Sequence, residues 1–483
     1  MARDSSGGRF RVIVAGFLAG AAGAVLATAL SPRRRLDVRL IRGLRRATPP
    51  PPTVLVPGLL GSELVRPDGT HVWLNLGNAI GHHDLSLPLR LPLAESRDDL
   101  RPGGLLGAGT VLPRVFGFTE YADLVELLDS AGLVRVVPGP RPWFHLFTYD
   151  WRRDLVESAR ALHDRLEALA DAAGDPGLRF NVVGHSMGGL VARYYLRYGV
   201  AEPDEDAPVT WAGARRIQNL VLVATPNAGS IPALDAILSG ARVGLSYTTM
   251  AASVIARMPA MYQLLPPAGA PALLDHRGEP LSADLHDIGT WERRGWGPFQ
   301  SYPARRAGDR PMVDPAAHRR FLAAVLARSR AFHRALGRPP ATPCPARVVV
   351  LGGDCLPTLA RAIVPERLGV PPRFEAHTAR EQEAMFEAGD GRVTRTSVLA
   401  SHQAGADETE TGSGIPEVTQ AFLGSAEHHG IYSEPTFQSI LLRLLLRPAL
   451  ATTGGLRPPV VATAQRQRRG GGRGGDRPGE SLP

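Results

Sequence analysis

Phe180-Asn181-Val182-Val183-Gly184-His185-Ser186-Met187-Gly188-Gly189 sets a short apolar run against the pattern GxSxG and leads into the segment Leu190 to Tyr198. The run reads as a buried strand. Leu190, Val191, Tyr194, Tyr195 and Tyr198 recur at spacings of three and four, which predicts a helix. With 53 glycines in 483 residues the five-residue pattern alone says little, so its context decides. Strand, tight turn and helix together form a nucleophile elbow, in which a serine sits on a strained turn and small neighbours avoid clashes. Gly184 and Gly188 are those neighbours, and Ser186 is the candidate nucleophile. The helix N-terminus behind it offers free amides and a positive dipole end to an oxyanion.

Outward from this stretch, strands and helices alternate. Thr53-Val54-Leu55-Val56 reads as a strand ending at Pro57-Gly58, Tyr121 to Leu128 as a helix, and Phe144 to Phe147 as a strand. Leu155 to Ala173 reads as a helix, and Ile217 to Val223 and Val348 to Leu351 as further strands. This alternation predicts an α/β fold with a mostly parallel central sheet covered by helices on both faces. Between Ile231 and about Pro340 no strong strand signal appears, and Met250 to Leu265 resembles a pair of helices. A helical cap is expected there. Trp291, Trp296, Phe299 and Tyr302 either line that cap or form its core.

The ends differ from the middle. Val12 to Leu30 is a stretch of 19 uncharged residues flanked by Arg9, Arg11, Arg33 and Arg34, just long enough to span a bilayer. It predicts a membrane anchor or an export signal, with Ala27-Thr28-Ala29 as a cleavage site in the second case. Residues 1–48 are therefore assigned to a leader and basic linker, 49–450 to a catalytic body with a cap at about 231–340, and 451–483 to a disordered Gly/Arg-rich tail. The net charge of +9 comes from a chain without lysine, and part of it lies in that tail. No aromatic residue interleaves the tail arginines, so the charge does not predict nucleic-acid binding. Cys344 and Cys355 flank the strand Val348 to Leu351, too far apart for a disulfide, and two cysteines make no zinc set.

A serine nucleophile needs a base, and the base needs an orienting carboxylate. Asp390, between Gly389 and Gly391, is the candidate acid, with Asp354 as its rival. His428 and His429, in a loop before the C-terminal helix, are the candidate bases. His185 reads as a packing residue, since a neighbour of the serine cannot reach it in the required geometry. The backbone of Met187 and the loop Pro57 to Ser62 are expected to supply oxyanion donors.

PGLLGSEL (57 to 64), YDWR (149 to 152), GHSMGG (184 to 189), TPNAGS (225 to 230), GDGRVTRTS (389 to 397) and the His428 segment resemble, in order, the lecithin:cholesterol acyltransferase family of α/β-hydrolases. The resemblance runs from about Thr53 to Leu446, and PGLLGSEL with YDWR is its most specific part. It implies a triad of Ser186, Asp390 and His428, with Leu60 and Met187 donating to the oxyanion. Pro435, seven residues after His428, matches a spacing common in related enzymes. It further implies a lipid ester substrate, with no cofactor and no metal needed, while a membrane surface as partner is expected from the stretch Val12 to Leu30. YDWR is expected to be mainly structural, an Asp150 and Arg152 pair at a strand end. Three readings follow: an acyltransferase, a lipase or phospholipase using water, and an inactive hydrolase fold that only binds.

Overall fold

Six strands lie side by side in the central sheet, and every pairing among them is parallel. The computed structural model describes residues 50–73, 85–106, 120–133, 144–204, 206–242, 249–299, 314–402 and 412–446. In chain order the strands are β1 (Thr53–Val56), β2 (Phe144–Leu146), β3 (Phe180–His185), β4 (Ile217–Val223), β5 (Arg347–Gly353) and β6 (Val418–Gly424). In space they run β6-β5-β4-β3-β1-β2. The chain thus steps outward from β1 to β2, then returns across β1 and proceeds in the opposite direction. The carboxyl ends of β1 and β3 border this switch point, where open parallel sheets leave a crevice for ligands.

The central strands are buried almost throughout, and successive side chains join two different cores. Val54, Val56, Val182, Leu220, Leu222, Val348 and Val350 face one side, against α2 (Leu155–Ala172) and α3 (Met187–Tyr198). Leu55, Val183, Val221, Val223, Val349 and Leu351 face the other, against α1 (Glu120–Ser130) and the C-terminal helix Pro435–Leu446. Asp154 starts α2 by accepting from the Val156 amide, which satisfies one of the donors that a helix start leaves open. The α/β fold with a parallel sheet and two helical layers is therefore observed.

Between β4 and β5 the described chain holds helices and two-residue strands joined by loops. It holds α4 (Ile231–Ser239), the short helices Ala252–Ile255 and Pro259–Tyr262, a helix at Ile288–Arg294, and α5 (Pro315–Gly337). The expected helix pair at Met250 to Leu265 is present, and the long α5 was not anticipated. Trp291 and Trp296 have no exposed surface; they stack edge to face at 6.1 Å, with Tyr262 6.0 Å from Trp291. They form the core of the insertion, while Phe299 packs on that core and Tyr302 lies outside the described residues. Cys344 and Cys355 are both free thiols, as their separation predicts. Residues 12–30 and 451–483 also fall outside the described residues. Among the described residues no helix is long and apolar enough to cross a membrane.

A buried ionic cluster fixes α3 to β6. Arg193 and Arg197, one turn apart on α3, each hold one carboxylate oxygen of Glu417 at 2.7 Å, and none of the three side chains is exposed. Arg193 also donates to Leu336 O at 2.9 Å, and the Arg197 guanidinium lies 5.5 Å from the Trp211 ring. Burial alone pushes the Glu417 carboxyl upward, but the two arginines outweigh it and hold it below the ordinary value. Removing the carboxylate strands two cations in a dry site. Glu417→Gln is expected to lower unfolding free energy by about 3 to 5 kcal/mol, read from a denaturant titration. A loss below about 1 kcal/mol would mean that the cluster does not hold this side of the sheet.

Candidate active site

The last residue of β3 is followed by Ser186 at φ 52° and ψ −125°, a left-handed conformation that a non-glycine residue adopts only under constraint. Two close approaches impose it. A Cβ on Gly188 would lie 2.3 Å from the carbonyl oxygens of both Val56 and Pro57, and one on Gly184 would lie 2.6 Å from Gly189 Cα. Only glycine lets α3 start this near the end of β1. The Ser186 amide donates to Val223 O at 2.8 Å, which ties the turn to β4. The strand, turn and helix read from the sequence are all present.

The acid arrives by a detour. After β5 the chain runs out and back through an antiparallel hairpin, Leu356–Leu359 against Phe386–Gly389, and Asp390 then returns to the end of β5. Its Oδ1 accepts from the amides of Arg392 at 2.9 Å and Val393 at 2.7 Å, which leaves Oδ2 for His428 Nδ1 at 2.8 Å. The His428 amide also donates to Asp390 O at 3.0 Å, so acid and base are locked together by main chain as well as side chain. His428 Nε2 lies 3.0 Å from Ser186 Oγ. The structure thus brings Ser186, His428 and Asp390 into one hydrogen-bonded line. Asp354 stays outside it, its amide held by Gly424 O. His429 is exposed, its ring perpendicular to that of His428.

The loop Pro57 to Ser62 runs past the serine, since a Cβ on Gly58 would meet Ser186 Cβ at 2.9 Å. Its polar groups are almost all taken. Gly58 N donates to Tyr121 Oη at 2.7 Å, Pro57 O accepts from Tyr149 Oη at 2.9 Å, and Leu60 O accepts from the Trp73 indole at 3.0 Å. Ser62 O accepts from the Trp151 indole at 3.0 Å, and Gly61 N donates to Gly58 O at 3.1 Å. The amides of Leu59 and Leu60 have no acceptor among the described residues, and Leu60 takes φ 66°. Met187 is the first residue of α3, so its amide has no acceptor within the helix. Leu60 and Met187, the two oxyanion candidates, thus both offer an unused N–H on elements that meet at the serine.

YDWR does more than expected. Arg152 pairs with Asp150, as the sequence suggested, and also with Asp98, whose oxygens lie 2.7 and 2.8 Å from its two Nη atoms. Burial pulls the guanidinium down, but the hydrogen bonds to the two aspartates outweigh it and hold the pKa above its usual value. Tyr149 and Trp151 clamp the loop that carries Leu60. Burial pushes the Tyr149 hydroxyl up, so it stays a donor to Pro57 O. The two most specific motifs of the resemblance therefore touch each other. Spacing along the chain gives no sign of this, because 92 positions separate Pro57 from Tyr149.

His185 is buried beside the triad, as a packing residue would be, yet it also makes polar contacts. Tyr121 Oη lies 2.9 Å from its Nδ1, and its Nε2 lies 3.4 Å from His428 O. Burial first, and then the neighbouring His428 and His429, hold its imidazole well below the ordinary value, so it is neutral.

A serine on a strained elbow at the switch point of a parallel sheet defines an α/β-hydrolase, and the chain is an acyltransferase or ester hydrolase of that class. Residues 117–283 match the family model described as lecithin:cholesterol acyltransferase, which bears out the resemblance read from the motifs. None of the curated proteins matches the chain. Among solved structures, the crystal structure of the Tle4–Tli4 complex is similar at TM-score 0.53 and 15% identity, covering 82% of this chain and 98% of that one. The lipase BlEst2 of Bacillus licheniformis in mature form gives TM-score 0.32 at 11% identity, covering 86% and 96% of the two chains. Phospholipase PlaB from Legionella pneumophila gives 0.26 at 12%, covering 63% and 39%. At such identities these likenesses concern the fold alone.

Proposed function

We propose that this chain transfers an acyl group from a lipid ester through an acyl-serine on Ser186. The observation that carries the reading is the line Ser186 Oγ, His428 Nε2, His428 Nδ1, Asp390 Oδ2, with steps of 3.0 and 2.8 Å. Ser186 Oγ attacks the ester carbonyl while His428 Nε2 takes its proton. Asp390, fixed by two amides and therefore unable to swing away, orients the imidazole and stabilises the imidazolium. The carbonyl oxygen, now negative, accepts hydrogen bonds from the Met187 and Leu60 amides, which are aimed before charge develops. His428 returns the proton to the departing alcohol, and the acyl-serine remains. A second hydroxyl, activated by the same base, then takes the acyl group and regenerates the serine.

The lipid substrate rests on the family match, and so does an alcohol as acceptor. Water as acceptor makes the same site a lipase or phospholipase, and the triad serves either. We further propose that the catalytic body spans 49–450 with the helical insertion capping the site, and that residues 12–30 hold it at a membrane or direct its export.

Ser186→Ala is expected to lower kcat by about a millionfold with the fold unchanged, and Asp390→Asn by about ten thousandfold. His428→Ala should match the serine variant while His429→Ala keeps most activity; the reverse ranking moves the base to His429. Purified enzyme given a phospholipid and a long-chain alcohol or sterol is expected to form ester beside free fatty acid, read by thin-layer chromatography. Free fatty acid alone across a broad alcohol panel overturns the transferase reading. Deleting residues 1–48 should free the enzyme from sedimented membranes and leave its activity, whereas continued pelleting would place membrane binding in the body of the protein.

A further inference from the structure

Tyr121 and His185 lie between the two halves of the site. The Gly58 amide donates to Tyr121 Oη at 2.7 Å, so that oxygen is an acceptor there. His185 Nδ1 lies 2.9 Å from the same oxygen. His428 O can only accept, so the neutral ring carries its proton on the Nε2 that lies 3.4 Å from it, and Nδ1 is left bare to accept from the Tyr121 hydroxyl. The direction of every bond in the chain is thereby set: Gly58 amide to Tyr121, Tyr121 to His185, His185 to His428. One end is the loop that bears the unused Leu60 amide, and the other is the main chain of the base. His185 itself precedes Ser186, and its ring packs against Tyr121 at 5.5 Å, Tyr432 at 5.4 Å and His428 at 5.2 Å.

We propose that Tyr121 and His185 form a positioning bridge that fixes the oxyanion loop relative to the base, so that the donors and His428 reach the tetrahedral intermediate in one arrangement. The inference rests on the catalytic reading of Ser186 and His428. Neither residue touches the reacting atoms; both act through the main chain of Gly58 and His428. Each bond crosses between elements far apart in sequence, 63 positions from Gly58 to Tyr121 and 243 from His185 to His428. Local structure therefore does not set this spacing, and the bridge supplies it. A neutral His185 suits the task, since a second imidazolium next to His428 would oppose the charge that the base must acquire.

Tyr121→Phe keeps the ring and removes the hydroxyl. A displaced oxyanion loop is expected to lower kcat on a p-nitrophenyl ester about 10- to 100-fold with KM within about twofold. Affinity for an alkyl boronic acid, which mimics the tetrahedral intermediate, should fall by the same factor as kcat/KM. A merely structural loss would leave that parallel absent. His185→Phe should give a similar loss, and the double variant should lose no more than the larger single, because both break one bridge. In the unmodified enzyme, nitrogen NMR of the histidine rings should show His185 protonated at Nε2 and bare at Nδ1 over about pH 5 to 8, where an ordinary imidazole titrates. Additive losses, boronate affinity unchanged in Tyr121→Phe, or the opposite tautomer overturn the bridge. If Ser186→Ala itself stays active, the catalytic reading fails instead, which separates the two outcomes.

Discussion

The contact between the start of α3 and the end of β1 governs the rest of the site. Gly188 sits so near the Val56 and Pro57 carbonyls that a single methyl group would meet both at 2.3 Å. That approach holds Ser186 in its left-handed turn at the start of α3 and brings the loop after β1 alongside. Strain at one residue is the cost of presenting a side chain and an amide from the same turn. The surrounding sheet sustains it, since Ser186 is hydrogen-bonded to β4 and α3 is buried on all sides.

Around this contact, the protein fixes each functional group by main chain. Tyr149, Trp151, Trp73 and Tyr121 hold the loop from Pro57 to Ser62, and only the Leu59 and Leu60 amides are left without an acceptor among the described residues. Asp390 spends one oxygen on two amides, so only the other can reach His428. The Glu417 cluster anchors α3 through Arg193 and Arg197, one turn apart. Preorganisation of this kind lets hydrogen bonds stabilise a developing charge without rearranging at the moment of reaction.

The central strands were legible because buried parallel strands read as continuous apolar runs, and β3, β4 and β5 are of that kind. Edge strand β6 was not: Thr419 and Gln420 interrupt it and most of its residues are only half-buried. The hairpin that carries Asp390 out and back was equally hidden, since its pairing is set by tertiary contact, and for that reason Asp354 stood as a rival to Asp390. Ser186 and the oxyanion candidates lay in local motifs and were readable. His428 was favoured over His429 only by its spacing to Pro435, since the two neighbours share residue type and loop. The links of Tyr121 to Gly58 and of Tyr149 to Pro57 join residues whose types carry no signal of their partners. Trp291 and Trp296 show the limit of residue type from the other side, as aromatic residues suited to a lipid pocket prove to be core.

The acceptor of the acyl group depends on how the insertion covers the site and how much water reaches it, properties that the triad does not encode. The acyl-serine itself is common to every active reading, and it is the claim on which the account stands. The most direct measurement is reaction with a fluorophosphonate followed by peptide mass spectrometry of the adduct. The account predicts a single phosphonylated residue, Ser186, with labelling slowed strongly in His428→Ala and little in His429→Ala. An unlabelled Ser186 in folded protein, or an adduct on another residue that accounts for the activity, would contradict it.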